Sequence, residues 1–154
     1  MDNTFLIFTV GKLNFAIDIA DVKEVISVGE ITKLPKSTSN ISGITNYRGE
    51  IIGILNLNVL FNEMPTPSLK RIIVTETVEN KIGLMIDSAT KFLKIPDTVQ
   101  LKSFQTDDIN LTQLWSGGKI QAIVKKLAKG IYETKEGIFY VIDANKLVEN
   151  DLES

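Results

Sequence analysis

Histidine and cysteine do not occur in this 154-residue chain. The first absence removes the usual general base near neutral pH. The second removes the thiolate nucleophile, and together they remove the nitrogen and sulfur ligands of zinc sites. Lack of cysteine also fits a reducing compartment. Phosphate cradles are missing too: neither GxGxxG nor GxxxxGK with a following Ser or Thr occurs, and Gly117-Gly118-Lys119 lacks both the spacing and the hydroxyl. No apolar run approaches the roughly 20 residues of a membrane helix. Neither sign of charge dominates. Seventeen basic residues interspersed with 19 acidic ones give a net charge of −2, which leaves no electrostatic footprint for nucleic acid and no polybasic patch for anionic lipid. Met1-Asp2-Asn3-Thr4 puts an acidic residue where a signal peptide needs a basic one, so a cytoplasmic location is expected. Asp107-Asp108 and the pair Asp18 and Asp21 lack the loop spacing of a calcium site and read as solvated faces or caps. The expectation is a protein-binding chain with no enzymatic activity, cofactor or metal.

What is present, at 44% hydrophobic and 23% charged residues, is enough for one ordinary domain or two small lobes sharing a core. Phe5 to Val10 is almost continuously apolar. Leu13, Phe15, Ile17 and Ile19 alternate with polar or small residues, and the two runs are expected to pair. Val22, Val25 and Ile26 recur at helical spacing after Asp21, a plausible N-cap, although a bent strand fits nearly as well. Gly43 to Leu57 reads as a hairpin folded at Arg48-Gly49-Glu50, with Gly49 supplying the positive φ of a tight turn. Asn58 to Phe61 is too short for an independent helix, and Asn62 to Ser68 is the best linker. Arg71 to Thr75 and Lys81 to Asp87 form a second hairpin, and Phe92 to Ile95 stays extended up to Pro96. Lys119 to Leu127 and Gly137 to Ile142 are expected as a last strand pair, with Asp143 capping a terminal helix through Leu152. Glu50 to Phe61 aligns without gaps on Gly137 to Val148, and Ile17-Asp18 aligns on Ile86-Asp87, a weak internal repeat. Many short strands with turn signals between them predict an all-β barrel or sandwich. Phe104 and Trp115 are expected to serve the core of the second half rather than a partner.

The run Ile41-Ser42-Gly43-Ile44-Thr45-Asn46-Tyr47-Arg48-Gly49-Glu50-Ile51-Ile52 resembles the IxGxxNxRGxxI signature of the CheW-like family, the coupling proteins of bacterial chemotaxis. Phe5 to Phe8, Phe15 to Ile19 with Val22 to Ile26, and Gly83 to Asp87 with Phe92 to Ile95 resemble further family blocks in the same order. The resemblance extends from about Thr4 to Val148. It implies two side-by-side, five-stranded SH3-like barrels with short helices, including a C-terminal one. The corresponding lobes are expected at residues 13–64 and 69–148, with strand 4–10 packing on either. It also implies a non-catalytic adaptor between the cytoplasmic tips of chemoreceptors and the regulatory domain of a CheA-type histidine kinase. The family's partner-contact positions fall on Val22, Glu24, Gly43, Arg48 and Phe92, with Glu24 and Arg48 expected exposed and able to interact with each other or with opposite charges on a partner. Val22, Gly43 and Phe92 are expected to converge on a groove between the lobes.

The chain departs from the family where a "PxxDLR" run is usual, having Gly53, Asn56 and Asn58 instead. If the two charges pair in typical members, replacing both by amides preserves the fold while altering the edge a kinase reads. Competing expectations are a coupling protein of a divergent chemosensory pathway, such as twitching or gliding motility, and a small metabolite-binding barrel. The last would need a cavity with convergent polar groups.

Overall fold

The computed structural model describes residues 3–34, 41–61, 64, 70–78, 80–103 and 124–147. Among the described residues eleven strands run in order: β1 (Thr4–Val10), β2 (Leu13–Asp18), β3 (Val22–Ser27), β4 (Thr32–Lys33), β5 (Gly43–Tyr47), β6 (Glu50–Asn56), β7 (Arg71–Glu76), β8 (Lys81–Ile86), β9 (Ser88–Lys94), β10 (Ala128–Thr134) and β11 (Gly137–Ile142). A one-turn helix, α1 (Leu57–Leu60), follows β6, and residues 124–127 and 144–147 are also helical. The fold is therefore all-β with minor helix, in two sheets. The first has the order β10-β11-β2-β1-β9 and the second β3-β7-β8-β6-β5-β4, so the short β4 adds a sixth strand to the five expected.

Sheet membership cuts across the expected lobes. The second sheet uses one continuous piece of chain, β3 to β8, whereas the first joins β1 and β2 to β9, β10 and β11. Thus β2 is not in a sheet with β3, and β7 and β8 are not in a sheet with β9. The cause is local. The 3₁₀ turn Ile19–Asp21 redirects the chain out of the first sheet, and the single residue Asp87 returns it from β8 to β9. A reading that pairs sequence neighbours misses such crossings, because most consecutive strands do lie side by side. The N-terminal strand β1 sits in the first sheet, paired antiparallel to β2 and β9.

Three apolar cores result. One face of each sheet looks inward to a shared layer that includes Leu6, Phe8, Phe15 and Ile17 from the first sheet and Leu55, Ile73, Leu84 and Ile86 from the second. Phe8, Phe15 and Phe61 stack through it, with centroids 5.4 and 5.0 Å apart. Each is fully buried, which is worth about 1.5–3 kcal/mol per side chain. The opposite faces enclose smaller cores, one around Phe5, Ile7, Phe139 and Val141, the other around Tyr47, Ile52, Ile54, Ile72 and Val74. Alternation along β1, with Leu6 and Phe8 to one side and Phe5 and Ile7 to the other, explains why its sequence is apolar throughout. Close packing also fixes Gly83, where a Cβ would lie 2.6 Å from Ile54 and 2.8 Å from Ile72.

Two local expectations are corrected. Val22 to Ile26 is strand, not helix: Val25 and Ile26 pair with Ile73 and Ile72 of β7. The helical turn precedes it, capped by Asp18, whose carboxylate accepts from the Ala20 N–H at 2.9 Å, and Asp21 is its last residue rather than its cap. Near the C-terminus the strand begins only at Ala128. Residues 124–127 turn helically, which sends Val124 and Leu127 into the shared core. Asp143 does cap the turn after β11, accepting from the Asn145 N–H at 3.1 Å. The internal repeat has a structural counterpart. β6 runs parallel to β8 and β11 parallel to β2, and each ends in a one-turn helix capped by an Asn or Asp side chain. Phe104, Asp107-Asp108, Trp115, Gly117 to Lys119, most of the Asn62 to Ser68 linker and the terminal helix beyond Leu147 lie outside the described residues.

Candidate functional site

β5 and β6 are joined by a two-residue turn in which Arg48 has φ 52° and Gly49 φ 84°. Both values are left-handed, the pattern of a type I′ turn, where Asn, Asp and Gly are the usual choices. Among the described residues Arg48 is the only non-glycine with positive φ. The turn is braced by Asn46, whose Oδ1 accepts from the Gly49 N–H at 2.8 Å. The side chain of Arg48 lies with its Cζ 5.6 Å from the centroid of the Tyr47 ring. Its Nη2 and Nε donate to Oε1 of Glu24 at 2.9 and 3.1 Å.

Tyr47 donates to the same oxygen at 2.6 Å. Its ring is buried with Ile52, Ile54, Ile72 and Val74, and its hydroxyl reaches the rim. Glu24 stands on the edge strand β3 and Tyr47 on β5, with β7, β8 and β6 between them in strand order, so these bonds close the sheet on itself from one edge to the strand beside the other. The Tyr47 hydroxyl first, and the Arg48 guanidinium second, hold the Glu24 carboxyl below the usual glutamate value. Conversely, Glu24 raises both the Tyr47 phenol and the Arg48 guanidinium above theirs. Arg48 remains 69% exposed, so the cluster is ordered without being enclosed.

The other expected positions fall into two groups. Val22 packs against the margin of the shared core from the first residue of β3. Phe92 is 66% exposed on β9 and stands opposite Leu6 of β1, so it projects on the face that meets the second sheet. Val22 thus borders the shared core, whereas Phe92 is turned largely to solvent. Gly43 stands apart. It is buried, and a Cβ there would lie 2.7 Å from the Ile31 methyl and 2.8 Å from the Thr32 carbonyl oxygen. Its missing side chain makes room for β4 and the residue before it, not for a visiting helix.

Beyond these, Lys23, Glu76, Lys81 and Glu50 form an alternating ladder across β3, β7, β8 and β6, with contacts of 3.9, 3.3 and 2.9 Å. A cleft of about 340 Å³ lies beside the turn, lined in part by Ile26, Glu30, Thr32, Ile44 and Asn46. Glu30 is its single charged residue, and Ser27, Thr32, Thr45 and Asn46 add uncharged polar side chains to its lining. Among the described residues no cluster of three or more carboxylates could hold a metal ion, and no helix is long and apolar enough to cross a membrane.

The family model for the CheW-like domain matches residues 4–152. The chain belongs to the CheW-like family. Among its CheW-like relatives, the chemotaxis protein CheW of Thermotoga maritima is 27% identical over 145 residues, covering 94% of this chain and 86% of that protein. The protein FrzA of Myxococcus xanthus is 30% identical over 97 residues, 62% of this chain and 61% of FrzA. The crystal structure of the scaffolding protein TtCheW from Thermoanaerobacter tengcongensis superposes with a TM-score of 0.74 at 25% identity, over 96% of this chain and 88% of that one. The roles of two residues in this CheW-like chain were not anticipated. Tyr47 had a signal, a phenol next to the turn arginine. Asn58 had little: its amide donates to buried Asp87 at 3.3 Å and accepts from Lys70 at 2.9 Å.

Proposed function

We propose that this CheW-like chain is a non-catalytic, cytoplasmic adaptor that couples the cytoplasmic tips of chemoreceptors to the regulatory domain of a CheA-type histidine kinase. Family membership over nearly the whole chain supports the coupling role, as do the CheW and FrzA relatives. For the contact surface, the observation that carries the reading is the ordered pair of half-buried Glu24 on β3 and exposed Arg48 on a turn held in left-handed geometry. Side chains fixed before binding lose less freedom on docking, and complementary charges set orientation and register. Val22 and Phe92 add apolar surface, suited to a helix that presents anchors at i, i+3, i+4 and i+7. Gly43 acts through the fold, by admitting β4. Coupling is then geometric: receptor and kinase are held at fixed mutual orientation, and receptor state reaches the kinase through that frame.

The test titrates purified receptor-tip and kinase regulatory fragments from the same genome with the wild type and with Arg48→Glu. Loss of a desolvated interfacial charge is expected to weaken receptor-tip binding about thirtyfold or more. The melting temperature should stay nearly unchanged, because Arg48 is exposed. Wild-type levels of binding by a folded Arg48→Glu variant would remove this surface from the reading, and failure of the wild type to bind either fragment would remove the coupling role itself.

A further inference from the structure

The geometry points to Tyr47 as the positioning residue of the partner-contact surface: its hydroxyl fixes the Glu24 carboxylate, and Glu24 in turn holds Arg48 in the orientation a partner meets. The inference rests on the reading of Glu24 and Arg48 as contact residues and goes beyond it, because Tyr47 itself is buried.

Three observations carry it. The first is rigidity at one end: the Tyr47 ring is gripped by Ile52, Ile54, Ile72, Val74 and Met85, so its hydroxyl is delivered to one place on the rim. The second is convergence. Oε1 of Glu24 receives the Tyr47 hydroxyl at 2.6 Å and two N–H groups of Arg48 at 2.9 and 3.1 Å, and Arg48 Nε also approaches the Tyr47 oxygen at 3.3 Å. The shortest of these bonds comes from the residue with the least freedom. The third is the backbone at Arg48, left-handed where a glycine or asparagine would be at ease. A strained, non-glycine turn residue persists when its surroundings over-determine it, and here the surroundings are the Tyr47 ring beneath and Glu24 beside it. The edge strand β3 and the distant β5 thus enter one three-residue network that leaves most of the arginine facing outward.

The remaining charged neighbour of Glu24 is Lys23, whose influence on it is weaker than that of Tyr47 or Arg48. Removing the hydroxyl therefore removes the largest cause of Glu24's lowered pKa, while the ring, and with it the core, is retained by phenylalanine. Glu24 is not stranded, since Arg48 and solvent still reach it.

The experiment compares the wild type with Tyr47→Phe, Glu24→Ala, the double variant and Arg48→Glu, titrated with the receptor-tip fragment. A second readout follows the Glu24 side-chain carboxyl resonance through an acid titration. Freeing one rotamer-rich side chain should loosen receptor binding about fivefold in Tyr47→Phe. The Glu24 midpoint should rise toward the ordinary glutamate value, and the melting temperature should hold. In the Glu24→Ala background, Tyr47→Phe should lose most of its effect, because Tyr47 acts chiefly through Glu24 and its direct contact with Arg48 Nε, at 3.3 Å, is the longest in the network. The inference is overturned if Tyr47→Phe binds like the wild type while Arg48→Glu does not, if its loss persists undiminished without Glu24, or if the Glu24 midpoint fails to move. A wild type that binds no receptor tip overturns the coupling reading, and this inference with it.

Discussion

The chain crosses between the two sheets twice, and an aspartate stands at each crossing in the same place in the internal repeat, after Ile17 and after Ile86. On the outward crossing Asp18 is half-buried, and its carboxylate caps the 3₁₀ turn that follows. On the return crossing Asp87 is fully buried. Its N–H donates to the Thr9 carbonyl at 3.1 Å, and its carboxylate accepts from the Gly11 N–H at 2.6 Å and from the Asn58 amide at 3.3 Å, with the Lys70 ammonium at 3.5 Å. Thr9 and Gly11 belong to the β1–β2 hairpin of the first sheet, whereas Asn58 and Lys70 flank strands of the second. The same residue type thus makes a local cap at one crossing and ties both sheets together at the other. The difference lies in what surrounds each side chain, and a buried carboxylate is tolerated only where its hydrogen bonds and countercharge are supplied.

Substitutions at the two crossings should separate these roles. The largest effect is expected for Asp87→Ala, which leaves the Lys70 ammonium, the Asn58 amide and the Gly11 N–H without this acceptor. Stripping one partner from a buried ionic network costs about 3–5 kcal/mol. Urea denaturation should show that loss, and a cost under about 1 kcal/mol would mean the tie is incidental. Because the shared core contains residues of both sheets, the wild type should unfold in one transition by both far- and near-ultraviolet circular dichroism. Next in size is Asp18→Ala, for which loss of a cap predicts about 0.5–1 kcal/mol by the same measurement. If it matches Asp87→Ala, the contrast between the crossings fails.

The smallest effect belongs to Asp21, beside Asp18 on the outward crossing. Burial first, and repulsion from Asp18 second, raise its carboxyl above the usual aspartate value. A raised folded-state value means that the folded protein holds the proton more tightly, so an ionised Asp21 disfavours the fold once pH climbs past that value. Asp21→Asn should accordingly leave the melting temperature at neutral pH unchanged or slightly higher, with any gain fading as pH falls through the carboxylate range. A clear loss would show that Asp21 makes a stabilising contact.

Much of the strand content was legible because period-two alternation and turn residues are local signals. The Arg48-Gly49 turn, the β1–β2 pair and the β7–β8 pair all follow from runs a few residues long. What escaped was set at a distance. Val22, Val25 and Ile26 satisfy a helical period and a strand equally well, and pairing with β7 decides for the strand. Gly43 was read as clearance for a partner, yet the space beside it is filled by Ile31 and Thr32. The loss of charge at Asn56 and Asn58 was legible, but its resolution was not. Asn56 caps α1, Asn58 joins the Asp87 network, and the cation comes from Lys70 at the far end of the linker. The Glu24–Arg48 proximity was anticipated from the family blocks, while the Tyr47 hydroxyl that organises it needed coordinates.

The discontinuous make-up of the first sheet has a consequence for the order of assembly as the chain leaves the ribosome. β2 sits between β1 and β11 in that sheet, so the first hairpin emerges with one long edge that stays unpaired until Gly137 to Ile142 are made. Meanwhile the second sheet, all of it encoded between Val22 and Ile86, can close its own small core around Tyr47 and Ile72. Contacts between such distant segments are slow to form, because the intervening chain must be ordered or looped out first. The nascent chain therefore carries an apolar, strand-ready N-terminal hairpin through most of its synthesis, and the sheet that finishes last is the one begun first.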